Sequence, residues 1–195
     1  CFGMQMAVIE FARHVCGLTD ANSEEVDAKT KNPVIHIMPN QAEYLKKHQY
    51  GGTIRLGAYP CALKNDTIIF DAYRKNMSFS FRSSSIESSF EIGYSAEKRK
   101  TNNLSNDVNR TTNDQLTVSE RHRHRYEFNN DYREVMEKKG LVISGTSPDG
   151  ELVESVELPK NQHPFFAGVQ FHPEYKSRPL SPHPIFVEFI KACNK

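Results

Sequence analysis

Apolar positions recur at Met4, Val8, Phe11 and Val15, helped by Ala7 and Ala12, with Gly17 standing where a helix would stop. This spacing predicts an amphipathic helix over Met4 to Val15, with Cys1 at or just before its N-terminus. Pro33 to Met38 and Thr67 to Phe70 read as short buried strands between polar segments. Asp131 as N-cap with Glu134, an apolar face of Tyr132, Val135 and Met136, and a terminal Gly140 predict a short helix. A strand over Leu141 to Ser144 follows. Leu152 to Leu158 alternates apolar and acidic residues after an Asp149-Gly150 turn, as a half-exposed strand does, whereas Phe165 to Phe171 is nearly continuously apolar and is expected to be buried on both faces. Ile185, Phe186, Phe189, Ile190 and Cys193 predict a closing helix. Strands alternating with helices indicate an α/β fold, an open sheet with flanking helices.

One stretch departs from this pattern. Residues 74–118 are dominated by Ser, Asn, Thr, Arg and Lys with few apolar anchors, the composition of a disordered or surface insertion. The remaining organisation is that of one domain, residues 1–195, a length sufficient to bury a core. The chain also begins abruptly: a nucleophile-bearing turn normally follows a strand, and none precedes Cys1, so a fragment of a larger protein is expected.

Charge and cysteines narrow the classes. Lys plus Arg total 25 against 24 Asp plus Glu, so the global balance offers no reason to expect a nucleic-acid or membrane partner. Cys1, Cys16, Cys61 and Cys193 are widely spaced and without metal-type pairing, which favours free thiols in a reducing, cytoplasmic compartment. No apolar run approaches the roughly 20 residues of a membrane-spanning helix.

Three strings carry candidate chemistry. Cys1-Phe2-Gly3 opening a helix has the form of the second half of a nucleophile elbow: the helix dipole and free N–H groups favour thiolate, Gly3 lets another backbone approach, and the Phe2 N–H is placed to donate to an oxyanion. A buried structural cysteine is the bland alternative. His172-Pro173-Glu174 follows the apolar run. Proline holds the segment extended, so that His172 and Glu174 face one way, as a general base and its orienting carboxylate require; a loop histidine beside a solvated glutamate is the alternative. In Arg121-His122-Arg123-His124-Arg125-Tyr126, an extended segment would put the three arginines on one face, where one arginine suffices to clamp a carboxylate. A nucleic-acid patch or a solvated basic edge fits the same string, while zinc is poorly served because no suitably spaced cysteine or acidic ligands accompany it. Gly51-Gly52-Thr53-Ile54-Arg55-Leu56-Gly57 has too many glycines for a regular element and reads as a tight loop. Glu25 lies in a loop after the first helix.

Taken together and in order, Cys1 to Gln5, Ala21-Asn22-Ser23, the glycine-rich string, Glu120 to Glu127, and Phe171 to Tyr175 followed by Ser177-Arg178-Pro179 resemble the CTP synthase family at its class I (triad-type) glutamine amidotransferase domain. The resemblance spans nearly the whole chain apart from the insertion. It implies a flavodoxin-like α/β sheet with the N-terminal part, including the glycine-rich oxyanion loop, missing from this chain, and hence a poorly folded or inactive isolated fragment. It implies Cys1 as nucleophile, His172 as general base and acid, Glu174 as third member, and Gln5, Glu25 and Arg125 as glutamine-binding residues, Glu25 toward the α-ammonium and Arg125 toward the α-carboxylate. No cofactor or metal is implied for this domain. The whole enzyme would use ATP with Mg2+ and GTP as activator, pass ammonia to an N-terminal synthase domain of the same polypeptide that aminates UTP, and assemble as a homotetramer. The insertion is longer than the family's usual connection. A glutaminase domain of another biosynthetic amidotransferase shares the triad but would not be expected to carry Arg121 to Tyr126; a basic RNA-binding module would leave the Cys1, His172 and Glu174 set unexplained.

Overall fold

The computed structural model describes residues 1–37, 55–76, 108–110 and 116–194. Helix α1 (Phe2–His14) begins at Cys1, its N-cap residue, and Gly17 follows in the left-handed region at φ +78°. Met4, Gln5, Val8, Ile9 and Ala12 form its buried stripe, the helical spacing expected from the sequence.

A three-stranded sheet contains β1 (Ala21–Ser23), β2 (Asn32–Ile37) and β6 (Tyr126–Phe128), with β1 and β2 parallel and β6 antiparallel to β2. The larger sheet runs β4 (Val108–Arg110), β5 (Leu116–His124), β3 (Arg55–Leu63), β7 (Val142–Thr146), β8 (Val153–Glu157), β9 (Ala167–Val169), antiparallel at every pairing. β3 and β5 pair over nine residues, from Arg55 opposite His124 to Leu63 opposite Leu116. The chain leaves β5 and enters β6 through a bend at Arg125, so one segment links the two sheets. Met4, Val8 and Ile9 of α1 join Val34, Ile35, Phe128, Ile143 and Val156 in one core, while Leu63, Ile69, Tyr73, Val118, Phe171 and Ile185 make a second. α1 lies against β9 at Gly168, where a Cβ would stand 3.1 Å from the Met4 backbone. The α/β class expected from the sequence is present. Among the described residues no helix is long and apolar enough to cross a membrane, and the four cysteines are unpaired.

Several local expectations are corrected. Thr67 to Phe70 is not a strand but the start of helix α2, residues 68–76. The Thr67 Oγ1 accepts from the Phe70 N–H at 3.2 Å, and the buried Glu157 carboxylate accepts from the Ile68 and Ile69 N–H groups at 2.7 and 3.3 Å, so two side chains satisfy the free donors of the first turn. The helical repeat emerges only when Ala72 and Tyr73, both buried, are counted with Ile68 and Ile69. β8 is buried on both faces instead of half-exposed, because its acids have internal partners: Glu154 meets Arg55 at 2.5 Å and Glu157 caps α2. Conversely, the run Phe165 to Phe171 supplies only the short, half-buried β9 at the sheet edge, followed by buried Gln170 and Phe171.

Asn129, not Asp131, caps the turn at Asn130–Tyr132, accepting from the Asp131 N–H at 3.0 Å, before α3 (Arg133–Lys138) ends at Gly140 with φ +102°. Arg55 to Gly57 open β3 instead of completing a loop, while residues 51–54 lie outside the described residues, as does Met38. The structureless segment expected at 74–118 is ordered at both ends: residues 74–76 belong to α2, and 108–110 and 116–118 to β4 and β5. Residues 77–107 and 111–115 lie outside the described residues. The closing helix α4 (Pro184–Cys193) is capped by the His183 ring, which accepts from the Ile185 N–H at 3.3 Å; Ile185 is buried while Phe186, Phe189 and Ile190 stay exposed.

Candidate active site

A cavity of about 600 Å³ has Cys1, Gly3, Phe171, His172 and Glu174 in its wall. α1 brings Cys1 to it, and the Cys1 backbone nitrogen donates to the Val169 carbonyl, tying the helix start to β9. The segment after β9 brings the other two residues: the His172 N–H donates to the Arg121 carbonyl at 2.8 Å, and Pro173 opens a short 3-10 turn, Pro173–Tyr175, that carries Glu174.

His172 Nδ1 lies 2.7 Å from Glu174 Oε1, and the ring stacks on Tyr175 with centroids 5.3 Å apart. With Nδ1–H donating to the carboxylate, the buried Nε2, which has no hydrogen-bond partner among the described residues, is left as the acceptor of a proton. Burial works to raise the Glu174 carboxyl, but the His172 hydrogen bond, with a backbone hydrogen bond beside it, helps hold the group below its ordinary value. The arrangement is that of a thiol, a base and a carboxylate orienting the base.

Phe2 is the first helical residue, so its N–H is among the donors that an α-helix leaves free. The close backbone approach expected at Gly3 is absent among the described residues, since a Cβ built there meets nothing within 4 Å; the close contact is made at Gly168 instead.

The second group of expected residues gathers around Tyr126. Gln5, one turn along α1 from Cys1, is buried and donates through Nε2 to the Tyr126 carbonyl at 3.1 Å. Burial raises the Tyr126 phenol, the Glu25 and Glu24 carboxylates add to the shift, and Arg125 opposes it, so all three charges act on the phenol. Glu25 is exposed, whereas the Glu24 carboxylate is engaged by the Ile37 N–H at 2.9 Å. Arg125 is half-buried with an Nε that lacks a hydrogen-bond partner among the described residues. Gln5, Glu25 and Arg125 do not line the cavity that holds Cys1.

The expectation that Arg121, Arg123 and Arg125 share a face holds for the first two, which are exposed on β5; the bend at Arg125 ends the alternation. His122 and His124 point inward, with Nδ1 of one 2.8 Å from Nε2 of the other. Burial, reinforced by the Arg55 charge, lowers their pKa values to about 2 and about 3, so both are neutral. Among the described residues no group of three or more His, Cys, Asp or Glu side chains is arranged to hold a metal ion.

Sequence reasoning missed the polar residues behind this site. Arg55 pairs with Glu154 at 2.5 Å and lies 3.6 Å from Glu127, and Gln170, fully buried, donates to Cys1 Sγ at 3.4 Å. The one available signal for Gln170 was an amide at the end of an otherwise apolar run, beside His172.

The sequence profile of the glutamine amidotransferase class-I family matches residues 1–192. The chain is 47% identical over 193 residues to a CTP synthase of Nostoc punctiforme, covering 99% of this chain and 27% of that protein. It is 45% identical over 195 residues to a CTP synthase of Staphylococcus aureus, covering 100% of this chain and 28% of that protein. A solved structure of the Trypanosoma brucei CTPS glutaminase domain with bound acivicin superposes with a TM-score of 0.70 at 31% identity, over 97% of this chain and 56% of that one. The chain thus spans about a quarter of the length of the curated relatives it matches.

Proposed function

This chain belongs to the class-I glutamine amidotransferase family, and on that premise we propose that it is the glutaminase domain of a CTP synthase, hydrolysing L-glutamine through a Cys1 thioester. The observation that carries the reading is one cavity walled by Cys1 and by the His172–Glu174 pair, with the free Nε2 of His172 as base.

His172 takes the Cys1 proton, and the thiolate attacks the side-chain amide carbon of glutamine. The Phe2 N–H donates to the oxyanion that forms. The imidazolium then gives its proton to the amide nitrogen, the C–N bond breaks, and ammonia leaves a glutamyl thioester. Water, deprotonated by His172, attacks the thioester; the C–S bond breaks and glutamate departs, returning the cysteine. Glu174 holds the imidazole tautomer and stabilises the imidazolium throughout. Gln5, Glu25 and Arg125 hold the substrate, Glu25 meeting its α-ammonium and Arg125 its α-carboxylate; the contact of Gln5, one helical turn from Cys1, with Tyr126, and the action of Glu25 and Arg125 on that phenol, support this.

In the whole enzyme the ammonia serves a synthase domain of the same polypeptide that aminates UTP to CTP in pyrimidine nucleotide synthesis, with ATP and Mg2+ driving the step and GTP activating it. The assembly is a cytoplasmic homotetramer.

The test compares the full-length parent enzyme with its Cys1→Ala variant, following CTP formation from glutamine and from ammonium chloride. The variant should lose the glutamine-dependent reaction and keep the ammonia-dependent one. Persistence of both removes Cys1 as nucleophile, and a parent that makes no CTP from either source removes the CTP synthase reading.

A further inference from the structure

Gln170 is the fully buried polar side chain whose amide meets the candidate nucleophile. Its Nε2 lies 3.4 Å from Cys1 Sγ, and its Oε1 is buried with no hydrogen-bond partner among the described residues. The placement is held from both sides: the Gln170 N–H donates to the Glu154 carbonyl at 2.8 Å, and the residue before it, Val169, accepts from the Cys1 nitrogen. β9 and α1 are therefore locked together at the point where carboxamide and sulfur meet.

A buried carboxamide is costly unless its groups are paired. Among the described residues its compensation is one N–H···S contact. A neutral thiol is a weak acceptor, whereas a hydrogen bond to an ionised acceptor is shorter and about twice as strong. The contact is worth most when the sulfur is ionised, and it acts from the protein side, leaving the cavity side to substrate and His172.

We propose that Gln170 is a further catalytic residue of the cysteine centre, its carboxamide N–H donating to Cys1 Sγ and holding the sulfur as the thiolate that attacks. The inference rests on Cys1 being the nucleophile. The titratable and charged neighbours are His172 and Glu174, which line the same cavity, and Glu154, Arg55 and His122, buried in the adjoining strands. Gln170 needs no proton of its own for this role, and no bond to it is made or broken.

The experiment measures, in the full-length parent enzyme, the pH dependence of Cys1 alkylation by iodoacetamide, read at the Cys1 peptide by mass spectrometry so that Cys16 and Cys193 do not interfere. Gln170→Leu, close in shape but without a donor, should raise the alkylation midpoint by about one pH unit and lower kcat/KM for glutamine about tenfold at neutral pH, with KM changed less than twofold. Gln170→Glu replaces the donor by a carboxylate that repels the thiolate and should raise the midpoint further than Leu. A side chain that only filled space would leave the Gln170→Leu midpoint at the parent's value. If Gln170→Leu fails to fold, as judged by circular dichroism, Gln170→Met, likewise neutral and without a donor, decides in its place: a raised midpoint supports the role and an unchanged one overturns it. A Gln170→Leu midpoint equal to the parent's overturns it, whatever Gln170→Glu does. Because alkylation is read without glutamine turnover, a failure of the glutaminase reading would show as absent turnover in the parent and remain separate from the Gln170 result.

Discussion

Two polar regions adjoin, joined where the His172 N–H meets the Arg121 carbonyl and the Gln170 N–H the Glu154 carbonyl, and they behave in opposite ways. Cys1, His172 and Glu174 border an open cavity, and the Glu174 side chain beside the base is more than half exposed. Arg55, Glu127, Glu154, His122 and His124 have almost no exposure; Arg55 pairs with Glu154, and burial keeps both histidines neutral. The residue types overlap, and what separates reactivity from structure is access. A histidine beside a solvent-reaching carboxylate can cycle a proton, whereas a histidine buried beside an arginine is held neutral. The closed region carries the strands that deliver Arg121, whose carbonyl anchors His172, and Arg125, at the junction of the sheets.

The comparison breaks most sharply at Cys1. In the parent enzyme Cys1→Ser should lower glutamine hydrolysis by about a thousandfold or more without moving the urea midpoint of unfolding; a similar loss of stability would place the cysteine in the structural class instead. Arg55→Ala should do the reverse, destabilising the fold by about 3–5 kcal/mol in urea titration because Glu154 loses the cation that offsets its burial. Restoration of full stability by the further change Glu154→Gln would sharpen that assignment.

A smaller effect is expected at Glu174, whose side chain is 56% exposed, so that water can take over part of its role. Glu174→Ala should reduce kcat for glutamine hydrolysis by about tenfold to a hundredfold with little change in stability, and a loss as large as that of Cys1→Ser would mean that water cannot substitute.

The smallest effect concerns pH. Burial, with the Glu154 charge, raises the Glu127 carboxyl from its ordinary 4.5 to about 8, against the pull of Arg55. The folded chain therefore keeps a proton that the unfolded chain loses. The resulting stabilisation is complete below about pH 4.5 and is lost as pH rises to about 8. His122 and His124, lowered to about 2 and about 3, act in the opposite sense but only below their ordinary 6.5. Between pH 6.5 and 8 Glu127 contributes a decline of at most about 2 kcal/mol at about 1.4 kcal/mol per unit, in the same sense as the Glu154 and Glu157 carboxyls that burial also raises. Glu127→Gln should flatten this limb in denaturation curves taken across that range; an unchanged slope assigns it to another group.

The helix α1, the strand β2 and the Cys1 and His172-Pro173-Glu174 strings were legible because each is a local pattern, a 3.6-residue repeat, an apolar run or a short motif. The fold class was legible too, and the family profile and the solved glutaminase domain bear it out. Thr67 to Phe70 misled because the first four residues of a buried helix and a buried strand look alike; the distinction came from Glu157, some ninety residues away, supplying acceptors for the helix start.

Glu154 and Glu157 misled for a related reason. Read along the strand, an acid every few residues signals solvent, and only partners brought in by the sheet make them internal. The sequence by itself determined which residues carry reactive groups and which elements hold them, since both follow from residue type and short-range spacing. Tertiary structure alone decided which polar groups are reachable: whether a histidine stays neutral, whether a glutamine meets a sulfur, and whether a glutamate faces water all depend on burial and long-range pairing, which no local pattern encodes.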